Sequence, residues 1–151
     1  MIAIRPATSA DAPALAALRW EFRGGRERVA ESAGDFTERC RAWMHSRLDA
    51  ASPWRTWIAE DNGRVVGQVW LQIFEKLPNP NGEGQRHAYL SNLYVQQASR
   101  GGVGTRLLEA AIDYAKAKGA DRIVLWPSAR SVTLYRRRGF IADGGLLELK
   151  L

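Results

Sequence analysis

The feature that most constrains this fold is a glycine-rich loop between an apolar strand and a regular helix. The segment runs from Tyr94 as YVQQASRGGVGTRLLEAAIDYAKAKG. Glycine destabilises a helix start unless some group must approach the backbone closely there. A strand–loop–helix unit also presents free N–H groups and the positive end of the helix dipole. The segment therefore predicts an anion site at the start of this helix.

Changes of hydrophobic period divide the rest of the chain into short elements. Before the loop we expect, in order, a strand from Ile2 to Arg5, a helix from about Thr8 to Gly24-Gly25, a helix from about Asp35 to Ser52-Pro53, two strands around Asn62-Gly63 and a strand RHAYLSNLYV. After the loop helix we expect a strand RIVLW, a short helix from Ser128 to Arg138 and a final strand from Phe140 onward. The order βααβββαβαβ predicts a single α/β (α+β) domain over residues 1–151, whose mixed central sheet has an antiparallel N-terminal part.

Composition limits the cellular location and the metal content that we expect of this protein. The chain of 151 residues is long enough for one well-buried domain, and it has no run of about 18 apolar residues that could span a membrane. Its first residues reach an arginine and a proline too soon for a secretory signal. Cys40 is the one cysteine, and with His45 and His87 it forms no metal-ligand spacing. We therefore expect a cytoplasmic protein with no membrane partner and no metal.

The formal net charge of +6 suggests an anionic partner. Nucleic acid, a membrane surface and a polyphosphate cofactor all fit that charge, and so does a basic surface without a specific partner. Two arginine clusters, at residues 23–28 (Arg23, Arg26 and Arg28) and at residues 136–138, favour nucleic acid. No nucleic-acid-binding motif accompanies them, and a cofactor polyphosphate would explain the second cluster as well.

Known phosphate loops differ from this one. A Walker loop needs G-x-x-x-x-G-K-S/T, which the chain lacks. A dinucleotide fingerprint needs a glycine where Leu107 stands, and it belongs early in a βαβ unit. Here the loop follows a run of strands that we expect to be antiparallel, so both interpretations are rejected.

The chain instead resembles the GNAT superfamily of acyl-CoA-dependent N-acyltransferases. LYV followed by RGGVGTRLL is similar to the family's strand and R/Q-x-x-G-x-G/A loop, and Gly102-Val103-Gly104 fits the second half of that pattern. IRPATSADAPALAALR resembles the opening strand and helix, and LYRRRGF resembles L-Y-x-x-x-G-F near the C-terminus. The R/Q position falls on Ser99 when counted from Gly102 and on Arg100 when counted from Val95, so the role of the Arg100 side chain stays open.

The resemblance implies a site for acetyl-CoA as co-substrate. In the family, the loop backbone holds the pyrophosphate and the preceding strand holds the pantetheine and the acyl carbonyl. The matching cofactor-binding residues are Leu93, Tyr94, Val95, Arg100, Gly101, Gly102, Val103, Gly104, Thr105 and Ser128.

The resemblance also implies N-acetyl transfer to a primary amine of a small molecule or peptide, by direct attack in a ternary complex. Tyr135 matches the family's general acid, since a phenol stays protonated at neutral pH. Some members place a glutamate base on the strand before the loop, but Tyr89 stands at that position. Glu75, His87 and water remain the candidate bases, and we take Glu75 as the catalytic candidate.

The acceptor site of this family lies between the first two helices and the loop after the hairpin. Those segments contain three tryptophans and four acids that suit a cationic amine: Trp20, Trp43, Trp54, Glu21, Glu31, Asp35 and Glu83. An acetyltransferase acting on aminoacyl-tRNA or on a protein N-terminus, and a non-catalytic acyl-CoA- or nucleic-acid-binding domain, remain alternatives. The last strand, LLELKL, could pair across the edge of a homodimer.

Overall fold

A five-stranded mixed sheet forms the centre of the molecule. The computed structural model describes residues 1–25, 28–142 and 144–151, so Arg26 of the first arginine cluster lies outside the described residues. The strands are β1 (Ile2–Pro6), β2 (Trp54–Asp61), β3 (Arg64–Glu75), β4 (Arg86–Val95) and β5 (Ala120–Val124). They lie in chain order, with β1 to β4 antiparallel and β4 parallel to β5. The predicted class and the antiparallel N-terminal part of the sheet are confirmed.

Helices cover both faces of this sheet. They are α1 (Ala12–Arg23), α2 (Ala33–Arg47), α3 (Val103–Ala117) and α4 (Val132–Arg137). The apolar face of α3 packs with Val69, Leu71 and Leu90 in one core cluster. Helices α1 and α2 pack against Ile58 and Trp70 in a second cluster. Because side chains alternate along a strand, neighbouring residues such as Val69 and Trp70 serve opposite faces.

Turn residues set several of the boundaries. Asn62 and Gly63 join β2 to β3 with φ angles of 50° and 78°, as a tight hairpin requires. Gly119, at φ 76°, ends the turn after α3, and β5 begins at the next residue by pairing Ala120 with Arg86. The fifth strand therefore spans residues 120–124 rather than the predicted RIVLW at 122–126. The last helix is also shorter than expected, since the turn from Ser128 to Ser131 precedes it.

The final strand predicted from Phe140 onward is not formed in the described residues 140–142 and 144–151. Four leucines of this segment are exposed: Leu146, Leu147, Leu149 and Leu151. An alternating apolar segment becomes a strand only when a neighbouring strand satisfies its backbone groups. The described segment pairs with no strand of its own chain, so this expectation was wrong for the single chain. The homodimer stays a prediction.

No helix among the described residues is long and apolar enough to cross a membrane. Within the same residues, no three side chains of His, Cys, Asp or Glu converge on a candidate metal site.

Gly67 of β3 allows α3 and β4 to approach closely. A Cβ atom placed there would lie 3.1 Å from the Tyr94 carbonyl oxygen and 3.3 Å from Leu107 Cδ1. We expect Gly67→Ala to lower the free energy of unfolding by about 1–3 kcal/mol, because a backbone atom cannot move aside cheaply. Urea unfolding at neutral pH would measure the change.

The matched control is Gly34→Ala in the first turn of α2, where an added Cβ meets nothing within 4 Å. This substitution should leave stability unchanged or raise it by up to about 1 kcal/mol, since alanine favours helix. Equal effects of the two substitutions would contradict the close approach at Gly67.

Candidate functional site

A groove opens where β4 and β5 part. The parallel pairing runs from Arg86 with Ala120 to Tyr89 with Val124. Strand β4 continues to Val95, so its last six residues have β3 on one side and no strand on the other. On that side no strand of the described residues pairs with this part of β4, so a ligand can approach its backbone. The resulting groove has a volume of about 540 Å³.

A bulge in β4 lies at the head of the groove. Ser91 pairs with Trp70 and Tyr94 pairs with Gln68, so Asn92 and Leu93 together oppose the single residue Val69. Asn92 has a φ of 58°, a left-handed conformation that asparagine tolerates better than most residues. Bulges of this kind bend a strand and redirect its side chains. Here the bulge turns Asn92 toward α1, where its Oδ1 accepts a hydrogen bond of 3.2 Å from Arg19 Nη1.

The glycine loop forms the far end of the groove. Gly101 and Gly102 have φ angles of 130° and 86°, and Gly102 is the N-cap of α3 with no side-chain cap hydrogen bond. The first N–H groups of a helix have no intrahelical partner, so they are available to an anion. Nothing lies within 4 Å of a Cβ built at either glycine, and one at Gly104 meets only an ordinary contact with Leu134. The loop therefore needs glycine for its backbone conformation, and packing does not explain it.

Three further side chains shape the wall of the groove. Arg100 donates from Nε to the Val95 carbonyl oxygen at 3.0 Å, and its guanidinium lies 6.0 Å from the centre of the Tyr94 ring. Ser128 and Ser131 exchange hydrogen bonds ahead of α4, with their hydroxyl oxygens 2.9 Å apart. The serine pair fixes the turn that leads into α4.

Tyr135 reaches the groove from α4. The residue is 7% exposed, and its ring packs edge-on against Phe140 at 5.4 Å between centroids. Burial raises the pKa of its phenol to about 12. The hydroxyl therefore stays protonated throughout the neutral range and can donate a proton or a hydrogen bond to a bound group.

The charged side chains around the groove are all cationic. They are Arg19, Arg23, Arg100, Arg130 and Arg137. No aspartate or glutamate of the described residues lines it. Arginines that share a concave wall with a helix N-terminus attract a polyanion.

A second cavity adjoins the groove. It has a volume of about 280 Å³ and lies between α1, α2 and the sheet. Its walls are Arg19, Phe36, Arg39, Cys40, Trp43, Met44, Trp54, Trp70, Ser91 and Asn92. Arg19, Ser91 and Asn92 line both spaces, so the cavity and the groove meet at the β4 bulge.

Comparison with known proteins identifies this arrangement. The family model described as the acetyltransferase (GNAT) family matches residues 15–140. The chain belongs to the GNAT family. It is therefore an N-acetyltransferase, and acetyl-CoA is the co-substrate typical of GNAT proteins.

Two relatives align with nearly the whole chain. An uncharacterized N-acetyltransferase of Bacillus subtilis is 29% identical over 150 residues, which cover 96% of this chain and 93% of the relative. The L-methionine sulfoximine/L-methionine sulfone acetyltransferase of Pseudomonas aeruginosa is 30% identical over 152 residues, which cover 97% of this chain and 84% of the relative.

Solved structures share the fold. A GCN5-related N-acetyltransferase from Ralstonia eutropha superposes with a TM-score of 0.81 at 23% identity, and the match covers 99% of each chain. A predicted acetyltransferase from Clostridium acetobutylicum, whose structure contains acetyl-CoA, gives a TM-score of 0.81 at 24% identity, covering 99% of this chain and 96% of that one.

Nearly all of the cofactor-binding residues expected from the GNAT resemblance line the groove. Those residues are Leu93, Tyr94, Val95, Arg100, Gly101, Gly102, Gly104, Thr105 and Ser128. Val103 does not, because its side chain is 5% exposed and belongs to the core under α3. Of the two candidates for the R/Q position, Arg100 lines the groove and Ser99 does not. Arg100 is therefore the charged side chain that the loop places in the groove.

The structure does not bring Glu75 to this site. Glu75 is an exposed residue at the end of β3, where it pairs with Arg86. Trp70 of β3 lies beside the bulge, and Glu75 is five residues farther along the same strand. At about 3.3 Å per residue, Glu75 is therefore roughly 17 Å from Trp70. His87 lies at the same end of the sheet, with its Nε2 3.3 Å from Asp121 Oδ1. The sequence does not reveal the distance of Glu75 and His87 from the groove, because it does not show at which end of the paired strands the groove opens.

The predicted acceptor residues divide into two groups. Trp43 and Trp54 line the cavity, whereas Trp20 packs on Phe36 at 5.7 Å without lining it. None of the four predicted acids lines either space. Glu31 pairs with Arg39, and Glu83 pairs with Lys76 at 2.8 Å. The expectation of an acidic pocket for a cationic amine is therefore corrected.

Sequence reasoning missed Arg19 and Asn92. Asparagine is depleted in strands, so its presence within RHAYLSNLYV was a usable signal of a bulge. Arg19 carried no such signal, because an arginine on an amphipathic helix is usually solvated. Only the packing of α1 over β4 distinguishes it.

The left-handed backbone at Asn92 provides a test of the bulge. We expect Asn92→Val to lower the free energy of unfolding by about 1–3 kcal/mol, because a β-branched residue is strained at positive φ. Asn92→Gly should change stability by less than about 1 kcal/mol, since glycine adopts this conformation freely. Urea unfolding of both variants measures the difference, and a valine variant as stable as the glycine variant would argue against the bulge.

Proposed function

We propose that this protein transfers the acetyl group of acetyl-CoA to the primary amine of a small molecule by direct attack in a ternary complex. The observation that carries the proposal is the junction at the β4 bulge. There a cationic groove that starts at the glycine loop meets an apolar cavity of about 280 Å³. Such a junction lets two ligands meet end to end, as direct transfer requires.

The groove fits the coenzyme by charge and by backbone. The uncapped start of α3 and the Arg100 side chain suit a pyrophosphate. The edge of β4 that extends past the end of β5, from Leu93 to Val95, suits the amide-rich pantetheine arm. When bound there, acetyl-CoA supplies the activated acyl group.

Tyr135 is the proposed general acid. During transfer the amine nitrogen bonds to the acetyl carbon, the carbon–sulfur bond breaks, and the Tyr135 hydroxyl protonates the departing thiolate. Water then returns a proton to the Tyr135 oxygen, which restores the enzyme. Among the described residues, no carboxylate or imidazole lines the groove or the cavity. The proton lost by the amine therefore passes to water, and Glu75 has no part in this proposal.

A small acceptor agrees with the size of the cavity and with one relative. Pockets for drug-sized ligands usually measure about 300–1,000 Å³, so this cavity suits a compact molecule. The Pseudomonas aeruginosa relative is named for acetylation of L-methionine sulfoximine and L-methionine sulfone, which are also small. The second arginine cluster does not favour nucleic acid, since Arg137 lines the groove and Arg138 lies 3.8 Å from Glu109.

A substitution at Gly104 tests the coenzyme site. Gly104 lines the groove in the first turn of α3, and its φ is not positive. Gly104→Glu should weaken acetyl-CoA binding at least tenfold, because a carboxylate would face the phosphates. Isothermal calorimetry with acetyl-CoA measures the affinity.

Gly104→Ala is the matched control, since its Cβ makes only an ordinary contact. We expect this variant to bind acetyl-CoA within about threefold of wild type and to be equally or more stable. Unchanged binding in Gly104→Glu would place the phosphates elsewhere.

Tyr135→Phe tests the proton donor. We expect kcat to fall about 100-fold or more, with the KM for acetyl-CoA and the unfolding midpoint nearly unchanged, because only the hydroxyl is removed. The wild-type kcat should rise with pH as the acceptor amine loses its proton. It should show no alkaline decline below about pH 10, because the pKa of the Tyr135 phenol is raised to about 12. Steady-state kinetics across pH would reveal both effects. A Tyr135→Phe enzyme within threefold of wild type would remove Tyr135 from the reaction.

A further inference from the structure

We infer that the acceptor is an α-amino acid, or a close analogue, whose carboxylate binds Arg19 and whose apolar side chain enters the cavity between α1, α2 and the sheet. This inference rests on the proposed function and specifies its second substrate. Four observations carry it: the unpaired charge of Arg19, its place at the junction, the aromatic walls, and the sign of the remaining charges.

Arg19 is a half-buried guanidinium that lacks an anionic partner among the described residues. Its one hydrogen bond there is the 3.2 Å bond to Asn92, which uses one of five donors. Burial and the neighbouring Arg23 lower its pKa, so its charge is less well solvated than that of an exposed arginine. A desolvated guanidinium of this kind favours a carboxylate from the ligand.

Other arginines near the first two helices already have acidic partners. Arg5 donates to Asp11 at 2.9 Å and to Glu60 at 3.0 Å. Arg39, at the edge of the cavity, pairs with Glu31. Arg19 thus differs from them in being available to an incoming anion.

The position of Arg19 matches the geometry of an α-amino acid. An α-amino acid carries its amine and its carboxylate on the same carbon, so a carboxylate held at the junction also holds the amine there. Because Arg19, Ser91 and Asn92 line both spaces, that amine would face the groove while the side chain points into the cavity. This arrangement orients the nucleophile without a residue that touches it.

The cavity favours an apolar or aromatic side chain. The rings of Trp43, Trp54 and Trp70 lie 5.7–6.0 Å apart, and Phe36 and Met44 complete the wall. Trp70 is 2% exposed and donates from Nε1 to Gln68 Oε1, so it presents an apolar surface whose polar atom is already satisfied. Apolar burial of this type gains roughly 25 cal/mol per Å².

A cationic acceptor is disfavoured by the same walls. The charged residues of the cavity are Arg19 and Arg39, and no acid of the described residues lines it. Trp43 of the cavity wall already has the Arg47 guanidinium 5.0 Å from its ring centre. A polyamine would therefore meet repulsion without a compensating carboxylate.

Coenzyme A release with acetyl-CoA and matched acceptors tests this inference. The acceptors are L-phenylalanine, L-leucine and L-methionine, compared with L-phenylalaninamide, phenethylamine and putrescine. The assay is run at about pH 8, where putrescine is cationic, and kcat/KM is calculated from the concentration of each acceptor in which the reacting amine is neutral. We expect kcat/KM for the best free amino acid to exceed that of the amide and the decarboxylated amine by about 100-fold, because those analogues leave Arg19 unpaired.

Variants of Arg19 separate acceptor binding from coenzyme binding. Arg19→Gln should raise the KM of the amino acid about 30-fold and reduce its advantage over the amide to a few-fold, and Arg19→Lys should restore part of it. Arg41→Gln is the matched control, since Arg41 pairs with Glu38 outside the cavity and should behave as wild type. The KM for acetyl-CoA should stay within about threefold throughout.

Several outcomes would overturn the inference. They are equal or better use of the amide or of putrescine, an Arg19→Gln effect confined to the KM of acetyl-CoA, and acetyl-CoA binding by calorimetry without acetylation of any free amino acid. In each of these cases the proposed acetyl transfer itself survives. Absence of both acetyl-CoA binding and transfer to any amine would instead remove the proposed function, and this inference with it.

Discussion

The site depends on one interruption of hydrogen bonding between strands. β4 and β5 pair only as far as Tyr89 and Val124, after which β4 runs on for six residues without that neighbour. A strand that loses a partner inside a domain leaves a row of backbone groups that needs another partner. The groove, the glycine loop at the end of β4 and the Tyr135 side chain all surround that row. In the proposed reaction, the amide groups of the pantetheine arm would lie along this edge of β4.

The distribution of charge follows from this arrangement. Five arginines line the groove, and no carboxylate of the described residues lines it. Two of the chain's acids form ion pairs away from the groove, Glu31 with Arg39 and Glu83 with Lys76. The groove is therefore a cationic site on a chain whose formal net charge is +6.

The junction at the β4 bulge links the two proposed ligands. The extra residue at Asn92 redirects β4 and at the same time contacts Arg19 of α1. One backbone irregularity therefore ends the regular strand, marks the head of the coenzyme groove and orients the arginine at the mouth of the aromatic cavity. In the proposed reaction, the amine and the thioester would meet where these three features coincide.

The sequence by itself determined the elements, their order and the loop chemistry. Hydrophobic period, the Asn62-Gly63 turn and the glycines at 101, 102 and 104 are local signals, because each reflects the conformation of a few adjacent residues. The final strand and the roles of Glu75 and Arg19 are different, since they depend on which residues from distant segments become neighbours. Leu147, Leu149 and Leu151 alternate like a strand but pair with no strand of the described residues. Glu75 lies at the end of β3 that is far from the groove. Only the tertiary structure decided these points, because pairing, burial and distance are properties of packed elements that no single segment contains.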